Sequence, residues 1–256
     1  MKIALVTGAS SGLGREFVRQ LGADGSLDEI WAVARREDRL TALQKYTARP
    51  VRPIPMDLTQ REKVEELKAM LSAEKPDIAV LVNAAGMGRI GPTADIPDAD
   101  NDAMIDLNCR AAVDVTAAAL PYLRRGSRVL EICSTAAFQP LGGLGVYAAS
   151  KSFLLSYSRS LHYEVRTKGI LVTAVCPYWI KDTEFIPVAR ETKDSTAVRH
   201  FPFASKCRHV VTWALNDATL GFSVSTPGPV CTLHRLVAKF IPRDLLMLGW
   251  AGLRRM

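Results

Sequence analysis

"TGASSGLG", residues Thr7–Gly14, places three glycines at Gly8, Gly12 and Gly14 with the spacing G-x-x-x-G-x-G. The apolar run "KIALV" (Lys2–Val6) precedes it and reads as a buried strand, while Gly12–Leu21 follows and reads as a helix. Strand, glycine turn and helix together form the setting of a phosphate-binding loop. In that setting Gly8 permits the tight turn, Gly12 lets backbone come close to a pyrophosphate, and Gly14 lets helix and strand pack. The helix N-terminus offers unpaired N–H groups and the positive end of its dipole. Thr7, Ser10 and Ser11 add hydroxyls. The spacing departs from G-x-G-x-x-G, so an ordinary turn and a different kind of cofactor loop both stay open at this point.

The rest of the chain supports the cofactor setting. "IWAVA" (Ile30–Ala34) reads as a second strand and Glu37–Tyr46 as a second helix. "VRPIP" (Val51–Pro55) is a weaker third strand, because its prolines demote it. Gln60–Ser72 carries helical spacing at Val64, Leu67 and Leu71, and "IAVLV" (Ile78–Val82) is a buried strand. A helix near Asp100–Leu123, the strand "RVLEIC", a helix near Ala148–Arg166 and the strand "ILVTAV" running into Cys176 complete the series. Alternating strands and helices imply an α/β, doubly wound Rossmann-type parallel sheet covered on both faces. The 256 residues show no repeat or linker, so one domain is expected.

Composition narrows the function. The five cysteines and four histidines are scattered without C-x-x-C or His-cluster spacing, so no metal is expected. A reduced, cytoplasmic protein fits that cysteine usage. No signal-peptide h-region and no apolar run of about 18 residues occurs. The formal charge of +7 reads first as a solvated face, and no nucleic-acid partner is expected. Pro177 to about Phe203 is irregular enough to be a substrate loop. The tail from Val230 is apolar and basic, with five Lys/Arg against Asp244 and a break at Pro242. A helix pair packed on the body is its first reading. A roof over an apolar substrate site or a peripheral membrane contact are the others.

The position about 20 residues beyond the loop decides the cofactor's ribose. Ala34, Arg35 and Arg36 stand there, with no carboxylate to repel a phosphate. Arginine offers planar charged donors to a 2′-phosphate, which points to NADP(H), Arg35 first. The alternative is two solvated arginines pairing with Glu37 and Asp38.

Tyr147 and Lys151 lie four apart and share a helix face. A free tyrosine, with a pKa near ~10, is a poor proton shuttle at neutral pH, and a nearby ammonium lowers that value. The pair is therefore a candidate general acid/base. Ser134 follows "RVLEIC" at the carboxyl end of a strand, where open α/β sheets bind ligands, and can hold a substrate carbonyl oxygen.

These motifs resemble the short-chain dehydrogenase/reductase family of the small, single-domain type, from about Lys2 to Val175. "TGASSGLG", including Leu13, matches the family's cofactor loop. "NAAG" (Asn83–Gly86, with Ala84) matches the motif after the fourth strand, and Asp57 in "MDLT" matches the adenine contact. Asn108 in "DLNCRAA", with Ser134, Tyr147 and Lys151, matches the catalytic set. The resemblance implies hydride transfer between the nicotinamide and a carbonyl or alcohol carbon. Tyr147 is then the proton donor, Lys151 the ribose contact that depresses the tyrosine pKa, and Ser134 the carbonyl anchor. Asn108 is then the holder of a relay water, or else a polar residue closing a helix kink.

"CPYWIKDTEF" departs from the family's Pro-Gly segment. Pro177, Ile180 and Thr183 remain expected at the nicotinamide, while Tyr178 and Trp179 either line the substrate pocket or pack beneath the loop. Leu141, Leu144, Val146, Trp179 and Phe185 imply a hydrophobic ketone or alcohol substrate, steroid-like, acyl or aromatic. The resemblance also implies a homodimer or homotetramer through the helices near Asp100–Leu123 and Ala148–Arg166. A second function class is a catalytically silent NADP(H)-sensing protein, against which the intact Ser134, Tyr147 and Lys151 argue.

Overall fold

The computed structural model describes residues 1–193, 198 and 203–253. The parts of the expected substrate loop at 194–197 and 199–202, and of the tail at 254–256, lie outside the described residues. Among the described residues a single parallel sheet runs in the order β3-β2-β1-β4-β5-β6-β7. Its strands are β1 (Lys2–Thr7), β2 (Glu29–Ala34), β3 (Val51–Pro55), β4 (Asp77–Asn83), β5 (Leu123–Ile132), β6 (Leu171–Val175) and β7 (Val224–Ser225). The helices are α1 (Gly12–Leu21), α2 (Glu37–Thr41), α3 (Arg61–Glu74), α4 (Asp98–Ile105), α5 (Ala111–Ala119), α6 (Gly145–Val165), α7 (Phe185–Ala189), α8 (Cys207–Thr219), α9 (Pro229–Phe240) and α10 (Arg243–Leu253).

The near-continuous apolar strands are explained by cover on both faces. Along β1, Ile3 and Leu5 enter one core with Val64, Leu67 and Leu71 of α3, Val115 of α5 and Leu161 of α6. Ala4 and Val6 enter the other, with Phe17, Val18 and Leu21 of α1 and Val211 and Ala214 of α8. Each fully buried Leu or Val contributes roughly 1.5–3 kcal/mol, so the helix stripes hold the layers. The proline-bearing β3 pairs with β2 at the sheet edge, where its missing donors cost no ladder bonds. Strand order reverses between β1 and β4, and their carboxyl ends open the crevice that positions the site.

The expected helix over Asp100–Leu123 is divided. α4 passes into a π-type turn at Asp106–Arg110, α5 follows, and Leu120–Tyr122 tightens into a 3₁₀ turn at Pro121. The wide turn carries Asn108, whose side chain is drawn inward to the main chain of Met87. Such π-bulges mark places where a helix accommodates a specific inward contact. β5 starts at Leu123, ahead of the "RVLEIC" run, because Ser127 Oγ donates to Ile78 O at 2.7 Å and ties an irregular segment to β4.

Candidate active site

A cavity of about 1070 Å³ opens at the carboxyl ends of β1, β4, β5 and β6. Its floor on one side is the glycine loop: Gly8, Ser10, Ser11, Gly12, Leu13 and Gly14 all line it. Gly8 has a φ of +65°, and a Cβ there would stand 2.7 Å from the backbone of Ala84. Only glycine satisfies both conditions. A Cβ on Gly14 would stand 2.3 Å from the Gly8 carbonyl oxygen, so the first turn of α1 packs on the loop itself. Thr183 sits above Gly12, its Cγ2 3.4 Å from where a Cβ would be. The segment after β6 therefore reaches the glycine loop despite its altered sequence, and Pro177, Ile180 and Thr183 all line the cavity.

Arg35, Arg36, Asp57, Ala84 and Gly86 line the same side. Arg36 is braced: its Nη2 and Nε donate to Ser10 Oγ at 3.2 and 3.4 Å, and its Nη1 to Glu184 at 3.0 Å. It pairs across the cavity rim, not with the neighbouring Glu37 or Asp38. Arg35 is exposed at the rim. Asp57 Oδ1 accepts from Thr59 N and Oγ1 at 3.0 and 2.8 Å, which fixes the turn after β3. Asn83 does not line the cavity. Its amide donates to Thr116 Oγ1 at 2.7 Å and Glu131 Oε1 at 3.0 Å in a buried network beneath the site.

Ser134, Tyr147 and Lys151 line the seam between this side and an apolar one. Ser134 caps the turn Thr135–Phe138, its Oγ accepting from Ala136 N at 3.1 Å, which leaves its own proton free to donate. Lys151 is buried and donates to Ile132 O at 2.7 Å. Its Nζ lies 5.9 Å from the centre of the Tyr147 ring. The expected depression of the Tyr147 pKa is not what these surroundings produce. Burial pushes the phenol up to about 12, and the hydrogen bond from Ser134 is what opposes it. Burial also lowers Lys151, against the pull of Cys133, Cys109 and Glu131. Tyr147 therefore keeps its phenolic proton at neutral pH.

Asn108 is fully buried and does not line the cavity. Its Nδ2 donates to Met87 O at 2.8 Å and Ser150 Oγ at 3.0 Å, and its Oδ1 accepts from Met87 N at 2.9 Å. A Cβ on Gly86 would stand 3.0 Å from Asn108 Oδ1 and 3.3 Å from Lys151 Nζ. The asparagine thus sets the loop after β4 directly against the lysine. On the apolar side, Leu141, Leu144, Trp179 and Phe185 line the cavity as expected, as does Tyr178, and Val146 packs behind them.

A family model described as short chain dehydrogenase matches residues 2–194. The chain belongs to that family. This dehydrogenase is 33% identical over 198 residues to the NADP-dependent 3-hydroxy acid dehydrogenase YdfG of Salmonella typhi, covering 76% of this chain and 79% of that one. It is 29% identical over 208 residues to a very-long-chain 3-oxoacyl-CoA reductase of Bos taurus, covering 77% and 65% of the two chains. Among solved structures, a short-chain dehydrogenase from Sphingobium yanoikuyae in complex with NADPH superposes with a TM-score of 0.79 at 27% identity, covering 99% of this chain and 94% of that one. A bulky-bulky ketone specific alcohol dehydrogenase from Comamonas testosteroni gives 0.74 at 25% identity, covering 95% and 96%.

Three site features of this dehydrogenase carry little signal in the sequence. Glu184 joins Arg36 and Arg39, the latter at 2.5 Å, and those arginines hold its carboxyl below the usual range. His234 of α9 meets Gln139 at 3.0 Å, and both line the apolar side. Glu131 is wholly buried below Lys151, where burial pushes it up to about 7 against the bonds from Asn83 and Thr116. Helices α9 and α10 roof the cavity, and Trp250 Nε1 ties them to the body by donating to Gly142 O at 2.9 Å.

Proposed function

We propose that this dehydrogenase is an NADP(H)-dependent carbonyl reductase or alcohol dehydrogenase acting on a hydrophobic ketone or the matching alcohol. The observation that carries this reading is a convergence within one cavity. Ser134, Tyr147 and Lys151 occupy the seam between a glycine-floored, arginine-edged side and an apolar side.

The residues fit a phosphorylated dinucleotide. Gly8, Gly14 and Gly86 keep the floor clear at positions where a Cβ would crowd its neighbours. The start of α1 presents N–H groups to the phosphates. Arg35 and Arg36 supply guanidinium donors for the 2′-phosphate. Asp57 and Ala84 border the adenine end, while Leu13, Pro177, Ile180 and Thr183 border the nicotinamide end. The NADP-dependence of one relative and the NADPH bound in one structural neighbour support the cofactor. When bound, the cofactor supplies or accepts the hydride.

The chain's own residues handle the oxygen and its proton. Ser134 donates its hydroxyl proton to the substrate oxygen and holds the carbonyl in place. In reduction, Tyr147 gives its phenolic proton to that oxygen as it becomes an alkoxide. A phenol held near about 12 retains this proton throughout the neutral range, which suits the acid role. The reverse, oxidative direction needs the phenolate and so gains from alkaline pH. Lys151 spends one N–H on Ile132 O and directs its others to ribose hydroxyls. Asn108 fixes Gly86 beside Lys151, the corner from which a relay water would be held.

The apolar lining supports a steroid-like, acyl or aromatic substrate. Exposed Ile105, Phe153 and Tyr163 on α4 and α6 support a homo-oligomeric face. The free cysteines support a reducing, cytoplasmic setting. The test is NADPH consumption against a carbonyl panel. Apolar ketones should be turned over in preference to short polar ones. The opposite preference would overturn the substrate class, and NADPH binding without turnover of any carbonyl would make the chain a binding protein.

A further inference from the structure

α9 and α10 close the apolar side of the cavity with Leu233, Val237, Ile241, Leu245 and Leu246. The outward face of the same pair is apolar and uncovered. Leu236, Phe240 and Leu248 are 50%, 75% and 70% exposed, and none of them lines the cavity. Leu233, Ile241, Leu245 and Met247 are exposed beside them. On α9, Leu233, Leu236 and Phe240 fall at i, i+3 and i+7 and form one stripe. Arg235 and Lys239, four apart and both exposed, run along its edge, and exposed Arg243 continues that edge into α10. Asp244 is the lone carboxylate of the two helices.

We propose that this face docks on the surface of an anionic lipid bilayer. Seven large apolar side chains exposed on one helix pair mark an interaction surface. The charge pattern selects the partner. A helix with an apolar stripe and a basic flank lies in the headgroup boundary, its stripe toward the acyl chains and its cations among anionic headgroups. Self-pairing of the same patch would gather the basic edges of two copies on one contact without matching carboxylates. The contact is peripheral, since no helix among the described residues is long and apolar enough to cross a membrane. Docking would also set the cavity rim at Leu233, Ile241 and Leu245 against the lipid, giving an apolar substrate a route that avoids water. That consequence rests on the proposed substrate reading, whereas the docking itself does not.

The test is co-sedimentation of the full chain with phosphatidylcholine vesicles, with and without phosphatidylglycerol, at low and high salt. Three proteins are compared: the native chain, L236E/F240E/L248E, and R235Q/K239Q/R243Q, each checked for an unchanged circular-dichroism melt. The native chain should bind the anionic vesicles on the order of tenfold more tightly than the neutral ones, with the preference fading at high salt. The glutamate variant should lose binding, and the glutamine variant should lose the anionic preference. The proposal is overturned if the native chain stays in the supernatant with anionic vesicles, or if both variants bind as it does. It is equally overturned if sedimentation velocity shows the native chain self-associating through this face, abolished in the glutamate variant, with no vesicle binding. The glutamine variant retains the apolar stripe, so it decides the charge argument even if the glutamate variant fails to fold.

Discussion

Arg36 and Glu184 stand 148 positions apart in the chain and 3.0 Å apart at the rim of the cavity. The same carboxylate also binds Arg39. The guanidinium proposed for the 2′-phosphate is therefore shared with a carboxylate that competes for it. Exposed pairs of this kind are worth ~0–1 kcal/mol. Glu184→Gln should tighten NADPH binding by a few-fold, up to about fivefold at low salt, and leave NADH unchanged. Fluorescence titration with both nucleotides measures this, and weaker NADPH binding in the variant would show that Glu184 supports the site instead.

Gly8 meets Ala84 across the strand-order reversal. Gly8→Ala adds a Cβ at a φ of +65° and 2.7 Å from backbone. Neither can relax by rotating a side chain. Stability should fall by at least about 1 kcal/mol, and NADPH affinity should fall with it. Urea unfolding and nucleotide titration give the two readings; an unaffected variant would mean that the loop is ordinary turn.

Much of this was legible in the chain because its signals are local. The glycine spacing, the apolar runs and the four-residue step from Tyr147 to Lys151 lie within single elements. A helix kink at Asn108 was one of two readings of that residue, but its cause, the Met87 main chain 21 positions earlier, was not legible. Glu184 was hidden for the same reason. The i, i+4 step from Tyr147 to Lys151 counts a neighbouring charge but not burial, and burial raises the phenol here. Asn83 was placed by motif alone, and its amide is committed to Thr116 and Glu131.

Glu131 should make stability depend on pH. Its folded pKa is raised from 4.5 to about 7, so the folded state holds the proton more tightly than the unfolded chain. The contribution is fully present below 4.5 and is lost as pH rises through about 7. Glu131→Gln, neutral at every pH, should remove this slope, a change of up to about 3 kcal/mol between the two ends. Urea midpoints measured across that range check it, and parallel curves for the two proteins would refute it.

The raised phenol of Tyr147 sets the pH profile. Ketone reduction should run level across neutral pH and decline only at alkaline pH as the proton is lost, whereas alcohol oxidation should climb with pH. Initial rates in both directions with saturating cofactor would show this. A reductive rate that falls already near neutrality would mean that Lys151 depresses the phenol after all.

Tyr147→Phe removes the phenolic oxygen and keeps the ring that packs at 5.4 Å from Phe185. If Tyr147 carries the proton, NADPH-dependent reduction of an apolar ketone should fall by roughly 10²–10⁴-fold while NADPH binding and the thermal melt stay at native values. A variant that binds NADPH and reduces the ketone at close to the native rate would contradict the assignment of Tyr147 as the acid of this site.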